Sequence, residues 1–265
     1  MQKQYFFLSG MQRAGSTLLG SLLNQNPNIY VSPTSPLMDL YCILGEGLHR
    51  IKNTYTYNAN AVDESLQKNL IHNYYSHRPE SIIIDKHRGW TRNVTNIEKF
   101  IGDGKIICTY RPIAENIVSF IKLCEKDDNN LVDLSLRKEG KEITNTNRAI
   151  WIWENLTYEI YDSFRYGLKN HREKIYVCHY DSLVSQTQIE MNRIYWSLGL
   201  DKFEHDLSNV INTCSETKDE IWGFSGLHDV RPKIEKQSPN VTDYLDDDLI
   251  SYFETYDKLL NQYNI

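Results

Sequence analysis

The chain has 265 residues, of which 40% are hydrophobic and 12% aromatic, so it is long enough to bury a sizeable core. Its formal net charge of -6 at pH 7 argues against general nucleic-acid binding and against polyanionic substrates, unless a local basic cleft outweighs the average charge. The sequence contains no linker-like tract, internal repeat or low-complexity segment, and we predict one domain over residues 1–265.

Cysteine usage and hydropathy indicate the compartment. The five cysteines are odd in number and include no C-x-x-C pair, so we expect reduced, mostly buried thiols. The longest apolar run near the N-terminus is YFFL, which is too short for a signal-peptide core. No later stretch approaches the roughly 20 apolar residues of a membrane span. We therefore expect a cytoplasmic protein.

Apolar patterns alternate between strand and helix along the chain. A strand is predicted over 4–9, and a helix begins at STLLGSLLNQ. Further Ile- and Val-rich runs predict buried strands over 81–85, 105–110 and 174–180. Helical patterns cover 113–123, 145–168, 188–200 and 243–260. This alternation predicts a three-layer α/β fold, with a central, mainly parallel sheet flanked by helices and ligands at the carboxyl ends of the strands.

Residues 9–17 (SGMQRAGST) have the pattern of a phosphate-binding loop. Gly10 and Gly15 have the spacing of G-x-x-x-x-G-K-[ST], and Thr17 fills the hydroxyl position, but Ser16 stands where the lysine would be. Such a loop directs backbone N–H groups and the positive end of a helix dipole at an anion. Arg13 supplies a cation from within the loop. The pattern therefore predicts an anionic ligand whose 5′ group is shorter than a triphosphate.

The segment QRAGSTLLGSLLNQNP resembles the 5′-phosphosulfate loop of sulfotransferases that use 3′-phosphoadenosine 5′-phosphosulfate (PAPS), and most closely that of the tyrosylprotein and related bacterial branch. The resemblance implies a P-loop-like fold and a cofactor-binding loop. The loop residues that it assigns to the cofactor are Gly10, Arg13, Ala14, Gly15, Ser16, Thr17 and Leu18.

Three further segments are similar to the same family. KIICTYRPIAENIVSF places Arg111 and Ser119 eight residues apart, the spacing with which the family grips the ribose 3′-phosphate. KIYVCHYDSLV matches a strand-end motif whose tyrosine, here Tyr180, contacts the adenine. SGLHDVRPKIEKQSP resembles a mobile loop that closes over the cofactor. Its cations Arg231, Lys233 and Lys236 are implied phosphate contacts.

The resemblance also implies the chemistry. A nucleophile attacks sulfur in line, and cations stabilise the charge that develops on the bridging oxygen. Arg13 is one such cation, and Lys86 in SIIIDKHRGW matches the family's catalytic lysine at the end of the second predicted strand. We expect PAPS as donor, 3′,5′-ADP as product and a hydroxyl acceptor, which could be a small molecule, a lipid or a peptide tyrosine. No metal ion is required.

The general base stays open, because the chain departs from its relatives. Thr34 stands where the tyrosylprotein branch has a glutamate, and Arg88 stands where the small-molecule branch has a histidine. Histidine has a near-neutral pKa that suits proton abstraction. The candidates are His87, His228, Asp85, Asp39 and Glu46.

Two other functions compete with sulfuryl transfer. One is a P-loop kinase or NTPase in which Asp85 ends a Walker B strand and binds Mg²⁺, although the missing lysine at Ser16 opposes it. The other is a nucleotide-binding module without catalysis. The acceptor pocket is predicted from segments 33–75 and 120–145, which include Tyr41, Tyr55 and Tyr57. The sequence does not predict the oligomeric state.

Overall fold

A computed structural model describes residues 3–54, 60–214, 219–236 and 239–265. Within these residues five strands form one sheet. They are β1 (Gln4–Gly10), β2 (Ile29–Thr34), β3 (Ile82–Lys86), β4 (Ile106–Tyr110) and β5 (Ile175–His179). The strand order is β2-β3-β1-β4-β5, and each neighbouring pair is parallel. The connections change direction beside β1, so its carboxyl end is where a ligand cleft is expected in such a sheet.

Eleven α-helices lie in the described residues. They are α1 (Ser16–Leu23), α2 (Leu37–Thr54), α3 (Asn60–Tyr74), α4 (Val94–Ile101), α5 (Ile113–Cys124), α6 (Leu131–Lys138), α7 (Asn145–Ile152), α8 (Tyr158–Asn170), α9 (Tyr180–Ser185), α10 (Thr187–Leu198) and α11 (Asp247–Asn261). A π-helical turn, Trp153–Thr157, joins α7 to α8. None of the described helices is both long enough and apolar enough to cross a bilayer.

Helices cover both faces of the sheet. Phe7 belongs to a core cluster with Trp90, Ile117 and Phe164, whereas Phe6 belongs to a second cluster. Because consecutive strand residues point to opposite faces, these two clusters are the two sides of the sheet. The predicted α/β class, with a parallel sheet between two helical layers, is confirmed.

Some elements differ from the sequence prediction. The edge strand β2 was not predicted, because it is short and contains Pro33, which an edge strand tolerates. The helix predicted over 145–168 is interrupted by the π-helical turn. Tyr180 begins α9 instead of ending a strand. The C-terminal helix begins only at residue 247, where the Asp246 carboxylate accepts a hydrogen bond from the N–H of Leu249 at 2.9 Å.

The cysteines follow the prediction of mostly buried thiols with one exception. Cys42 is exposed on α2. Burial raises the pKa of Cys124 to about 12, so that thiol stays protonated at neutral pH. The four buried thiols are Cys108, Cys124, Cys178 and Cys214.

Candidate active site

The loop after β1 has the backbone geometry of an anion-binding turn. Gly10 (φ 102°), Arg13 (φ 54°) and Gly15 (φ 86°) all have positive φ. A Cβ at Gly10 would lie 2.3 Å from the carbonyl oxygen of Thr109, so only glycine fits beside β4. The N-cap residue of α1 is Gly15, which has no side chain to bond the first N–H groups, and the first turn of α1 carries no acidic residue. The N-terminus of α1 therefore presents its positive end to the cleft above it.

Arg88 holds this loop from the neighbouring strand. It begins a 3-10 turn (Arg88–Arg92) that follows β3. Its Nη1 donates to the carbonyl oxygens of Gly10 at 2.9 Å and Met11 at 2.8 Å, and its Nη2 donates to Ser16 Oγ at 3.3 Å. The rigid guanidinium fork thus fixes both ends of the loop. Sequence reasoning noted Arg88 only as a departure from the family and missed this role.

Two arginines and a serine meet on the other side of the loop. Arg13 Nε donates to Ser119 Oγ on α5 at 3.2 Å, and Arg111 Nη1 donates to the carbonyl oxygen of Arg13 at 3.5 Å. Burial and the nearby Arg111 guanidinium lower the pKa of Arg13 to about 10. Arg13 is still charged at neutral pH, and an anion placed beside both guanidiniums would relieve their repulsion.

Arg111 is nearly inaccessible to solvent, with 3% of its surface exposed. Its Nε lies 3.2 Å from Glu115 Oε2, and its guanidinium carbon lies 4.3 Å from the centre of the Tyr180 ring. The Tyr180 ring also faces Gly15, where an added Cβ would approach it to 3.1 Å. The predicted cofactor residues Arg111, Ser119 and Tyr180 are therefore brought together around the loop.

An anchor at the start of α5 fixes the position of Ser119. Asp257 on α11 accepts hydrogen bonds from the N–H of Ile113 at 3.1 Å and from the Tyr110 hydroxyl at 2.7 Å. The carboxylate thus satisfies a backbone donor at the N-terminus of α5, where a negative charge is favourable. Burial raises the pKa of Asp257 to about 6.

An open cleft of about 790 Å³ lies over the loop. Most of the predicted site residues line it, and the others do not. Those that line it are Arg13, Gly15, Ser16, Thr17, Leu18, Arg111, Ser119, Tyr180, His228, Arg231, Lys233 and Lys236. The predicted residues absent from its lining are Gly10, Ala14, Lys86 and His87.

Lys86 and His87 do not line the cleft. Lys86 ends β3 between Leu8 of β1 and Thr34 of β2, and only 2% of it is exposed. His87 caps the following 3-10 turn: its Nδ1 accepts from the N–H of Gly89 at 3.0 Å. Its Nε2 lies 3.7 Å from Asp39 Oδ1, and burial lowers its pKa. The His87 ring therefore holds the local turn together.

Asp85 is fully buried in the core. It accepts hydrogen bonds from Ser35 Oγ at 2.5 Å, from Trp90 Nε1 at 2.7 Å and from the Tyr75 hydroxyl. Burial raises the pKa of its carboxyl group. These three donors occupy the carboxylate, which does not line the cleft, so Asp85 is not placed as a Walker B metal ligand would be. Glu46, the remaining acidic candidate, is exposed on α2 and also lies outside the cleft lining.

His228 lines the cleft, and its ring contacts the carboxylate of Asp219. Its Nδ1 lies 2.6 Å from Asp219 Oδ1, and its backbone N–H donates to Asp219 Oδ2 at 3.1 Å. Its carbonyl oxygen accepts from Asn212 Nδ2 at 2.8 Å. Sequence reasoning proposed His228 but missed Asp219, which begins a short 3-10 turn (Asp219–Trp222) where no periodic pattern indicates a partner.

The basic residues of the C-terminal loop lie at the mouth of the cleft. Lys236 Nζ lies 2.9 Å from Asp181 Oδ2. Arg231 and Lys233 lie 4.0 Å and 3.6 Å from the carboxylate of Glu235. The side chains of Arg231, Lys233 and Glu235 are at least half exposed. Exposed pairs of this kind contribute little stability, so these cations can exchange their partners for a bound phosphate.

Part of the cleft wall is apolar. Phe120 and Phe224 pack with ring centres 5.6 Å apart, and Trp222 is 49% exposed at the rim. Gln12 Nε2 donates to the carbonyl oxygen of Leu156 at 2.6 Å, which ties the π-helical turn to the phosphate loop. The apolar residues of this wall are Phe120, Leu123, Leu156, Ile160, Trp222, Phe224 and Leu227.

The predicted acceptor segments contribute unequally to the cleft. Four residues of segment 120–145 line the cleft: Phe120, Lys122, Leu123 and Lys126. Among the described residues of segment 33–75, Thr34 alone lines it. Tyr41 instead lines a small apolar cavity between α2, α3 and α4. The two other predicted tyrosines, Tyr55 and Tyr57, lie outside the described residues.

Comparisons with known proteins identify a family and similar folds. The model of the sulfotransferase family matches residues 6–205. The fold is similar to that of the sulfotransferase domain of the Synechococcus PCC 7002 olefin synthase, with 18% identity, a TM-score of 0.56, and 100% of this chain and 96% of that chain covered. It is also similar to a sulfotransferase from Alicyclobacillus acidocaldarius, with 15% identity, a TM-score of 0.53, and 99% and 96% covered. No curated protein matches the sequence significantly.

Proposed function

Because the chain belongs to the sulfotransferase family, whose reaction is sulfuryl transfer, we propose that it transfers the sulfuryl group of PAPS to a hydroxyl acceptor and releases 3′,5′-ADP. The observation that carries this proposal is the convergence of Arg13, Arg111 and Ser119 beside the N-terminus of α1 in one cleft. These groups offer two separate positions for anions, and PAPS carries anionic groups at both its 5′ and 3′ ends.

Each end of the donor has its own partners in this proposal. The N–H groups at the start of α1, with Ser16, Thr17 and Arg13, bind the 5′-phosphosulfate. Arg111 and Ser119 bind the 3′-phosphate. A phosphate there would replace the present Arg13 to Ser119 hydrogen bond and offset the repulsion that lowers the pKa of Arg13. Tyr180 contacts the adenine. The exposed Arg231, Lys233 and Lys236 close over the phosphates.

For the transfer step we favour His228 as general base over His87, because His228 lines the cleft whereas His87 caps a turn and does not line it. His228 takes the proton of the acceptor hydroxyl while the oxygen attacks sulfur. The bond from sulfur to the bridging oxygen of the 5′-phosphate breaks, and the electron pair stays on that phosphate, where Arg13 stabilises it. Lys86 as a further leaving-group cation stays a prediction, since it is buried and does not line the cleft.

The acceptor is a hydroxyl attached to an apolar body, because the cleft that holds the cationic groups is also lined by aromatic and aliphatic side chains. A phenol, a lipid alcohol and a peptide tyrosine all have this chemistry. Trp222 is exposed at the rim and offers a flat surface to such a group. Trp222→Ala should therefore raise the KM for 2-naphthol severalfold and leave the KM for PAPS unchanged. An unchanged KM for 2-naphthol would contradict this placement.

Thermal unfolding with three nucleotides tests the donor assignment. A ligand that binds only the folded state adds about 2.7 kcal/mol at a hundredfold excess over its Kd. We expect stabilisation by 3′,5′-ADP that is insensitive to EDTA, with weaker stabilisation by ADP and by ATP with Mg²⁺. Arg111→Ala should abolish it, whereas Arg193→Ala, which removes a 56% exposed arginine on α10, should not. Stabilisation by ATP with Mg²⁺ alone would refute the proposal in favour of a kinase-like enzyme.

A further inference from the structure

The pair formed by Asp219 and His228 has the geometry of an oriented base. We propose that Asp219 is a positioning residue, which fixes the orientation and tautomer of the His228 ring so that Nε2 takes the proton of the acceptor hydroxyl. The proposal rests on the function proposed above and adds to it a residue with no sequence signal. It is carried by the two hydrogen bonds between Asp219 and His228.

The two-point contact restricts the histidine more than a single bond would. One Asp219 oxygen lies 2.6 Å from Nδ1, and the other accepts from the backbone N–H of the same residue at 3.1 Å. Both side chains are largely buried, with 11% of the His228 side chain and 14% of the Asp219 side chain exposed. A carboxylate shielded from water in this way holds the ring in one rotamer.

The backbone around His228 is held from two other sides. Asn212 Nδ2 donates to the His228 carbonyl oxygen at 2.8 Å, and Arg13 Nη1 donates to the carbonyl oxygen of Leu227. The second contact places the histidine next to the residue that faces the 5′-phosphosulfate in our proposal. The base and the donor site are therefore joined through adjacent residues.

The tautomer follows from the chemistry of the partner. An ionised carboxylate only accepts hydrogen bonds, so Nδ1 carries the proton and Nε2 carries the lone pair. When Nε2 takes the acceptor proton, the ring becomes an imidazolium with Asp219 against it, and the proton passes to solvent after the product leaves. Arg13, Asp229 and Arg231 are charged residues that line the same cleft as His228. The carboxylate of Asp219 also acts electrostatically on Arg13.

Nuclear magnetic resonance of ¹⁵N-histidine-labelled protein reads the tautomer directly. His228→Gln identifies the ring signals of His228. In the wild-type protein at a pH where the ring is neutral, we expect the proton on Nδ1. In Asp219→Asn we expect this preference to be lost. Glu220→Gln, in the same 3-10 turn but exposed, is the matched control and should leave the signals unchanged. A proton on Nε2 in the wild-type protein would overturn the proposal even if the variant does not fold.

Turnover with two phenols tests the catalytic consequence. With PAPS and 2-naphthol, Asp219→Asn should lower kcat at least tenfold, which is part of the roughly 10²- to 10⁴-fold that a general base contributes. The loss should be smaller with 4-nitrophenol, which ionises at lower pH and needs the base less. The acidic limb of the pH profile should move to lower pH, because a carboxylate favours the charged imidazole. A merely structural role would lower both rates equally.

The outcomes separate this inference from the proposed function. If the wild-type protein neither binds 3′,5′-ADP nor turns over PAPS, the proposed function fails and the base role fails with it. If the wild-type protein is active and Asp219→Asn keeps its kcat within twofold, the proposed function stands and the inference about Asp219 is wrong. If Asp219→Asn loses 3′,5′-ADP affinity together with kcat, its role is structural and the inference is likewise wrong.

Discussion

Replacing Arg88 tests whether the phosphate loop is held in shape from the neighbouring strand. Arg88→Met keeps a long side chain but removes the donors to Gly10, Met11 and Ser16. A hydrogen bond from a charged donor contributes about 1.5–3 kcal/mol. The two short bonds to backbone carbonyls together contribute about 3 kcal/mol at the lower end of that range. If this free energy organises the loop for its ligand, the Kd for 3′,5′-ADP should rise about 100-fold.

Isothermal titration calorimetry with 3′,5′-ADP measures this Kd. The matched control is Arg92→Met, because Arg92 lies in the same 3-10 turn but is 48% exposed and pairs with Asp162 at the surface. Arg88→Lys keeps the charge without the fork and should fall between the wild type and Arg88→Met. A Kd for Arg88→Met within threefold of the wild-type value, in a folded protein, would refute the reasoning.

Three further changes test the scaffold. Gly10→Ala should lower the free energy of unfolding by at least about 2 kcal/mol, because the added Cβ would meet Thr109. The control is Gly140→Ala, where φ is also positive but the space is open, and it should lose only about 1 kcal/mol. Equal losses in urea unfolding would contradict this. Asp257 has a raised pKa of about 6, so its contribution to stability is largest below about pH 4 and is lost as pH rises through 6. As the pH rises from 4 through 6, the free energy of unfolding of Asp257→Asn should therefore fall by up to about 3 kcal/mol less than that of the wild-type protein. An equal fall in both proteins would refute this. Asp85→Ala leaves three buried donors without their acceptor and should destabilise the protein by about 3–5 kcal/mol, measured by the same unfolding; a loss below about 1 kcal/mol would show that the core rearranges around them.

The sequence predicted those parts of the site whose residues lie close together along the chain. Gly10 and Gly15 lie in one turn, and Arg111 and Ser119 lie at the start and on the second turn of one helix, so their residue types and spacing are sufficient. Arg88 could not be recognised in this way, because its role depends on the pairing of β3 with β1.

Asp219 shows the same limit in a short 3-10 turn. It meets His228, which follows nine residues later in a loop without a repeating pattern. The prediction for Lys86 and His87 rested on their position at the end of a strand. It did not anticipate that Lys86 is enclosed between neighbouring strands and that His87 turns back to cap its own chain. Whether the end of a strand is buried depends on the neighbouring elements that pack against it, and the residues of that strand alone do not indicate them.

The contact between Asp257 and the start of α5 also bears on when the site forms during synthesis. The two partners are 144 residues apart, and α11 follows every proposed site residue in chain order. A nascent chain that has emerged only as far as residue 246 has the loop, Arg111 and Ser119, but not the carboxylate that anchors the helix carrying Ser119. Because domains fold progressively from the N-terminus as they are translated, the donor site reaches its final geometry only after α11 leaves the ribosome. With the donor site that we propose, we therefore expect nucleotide binding only once that part of the chain is in place.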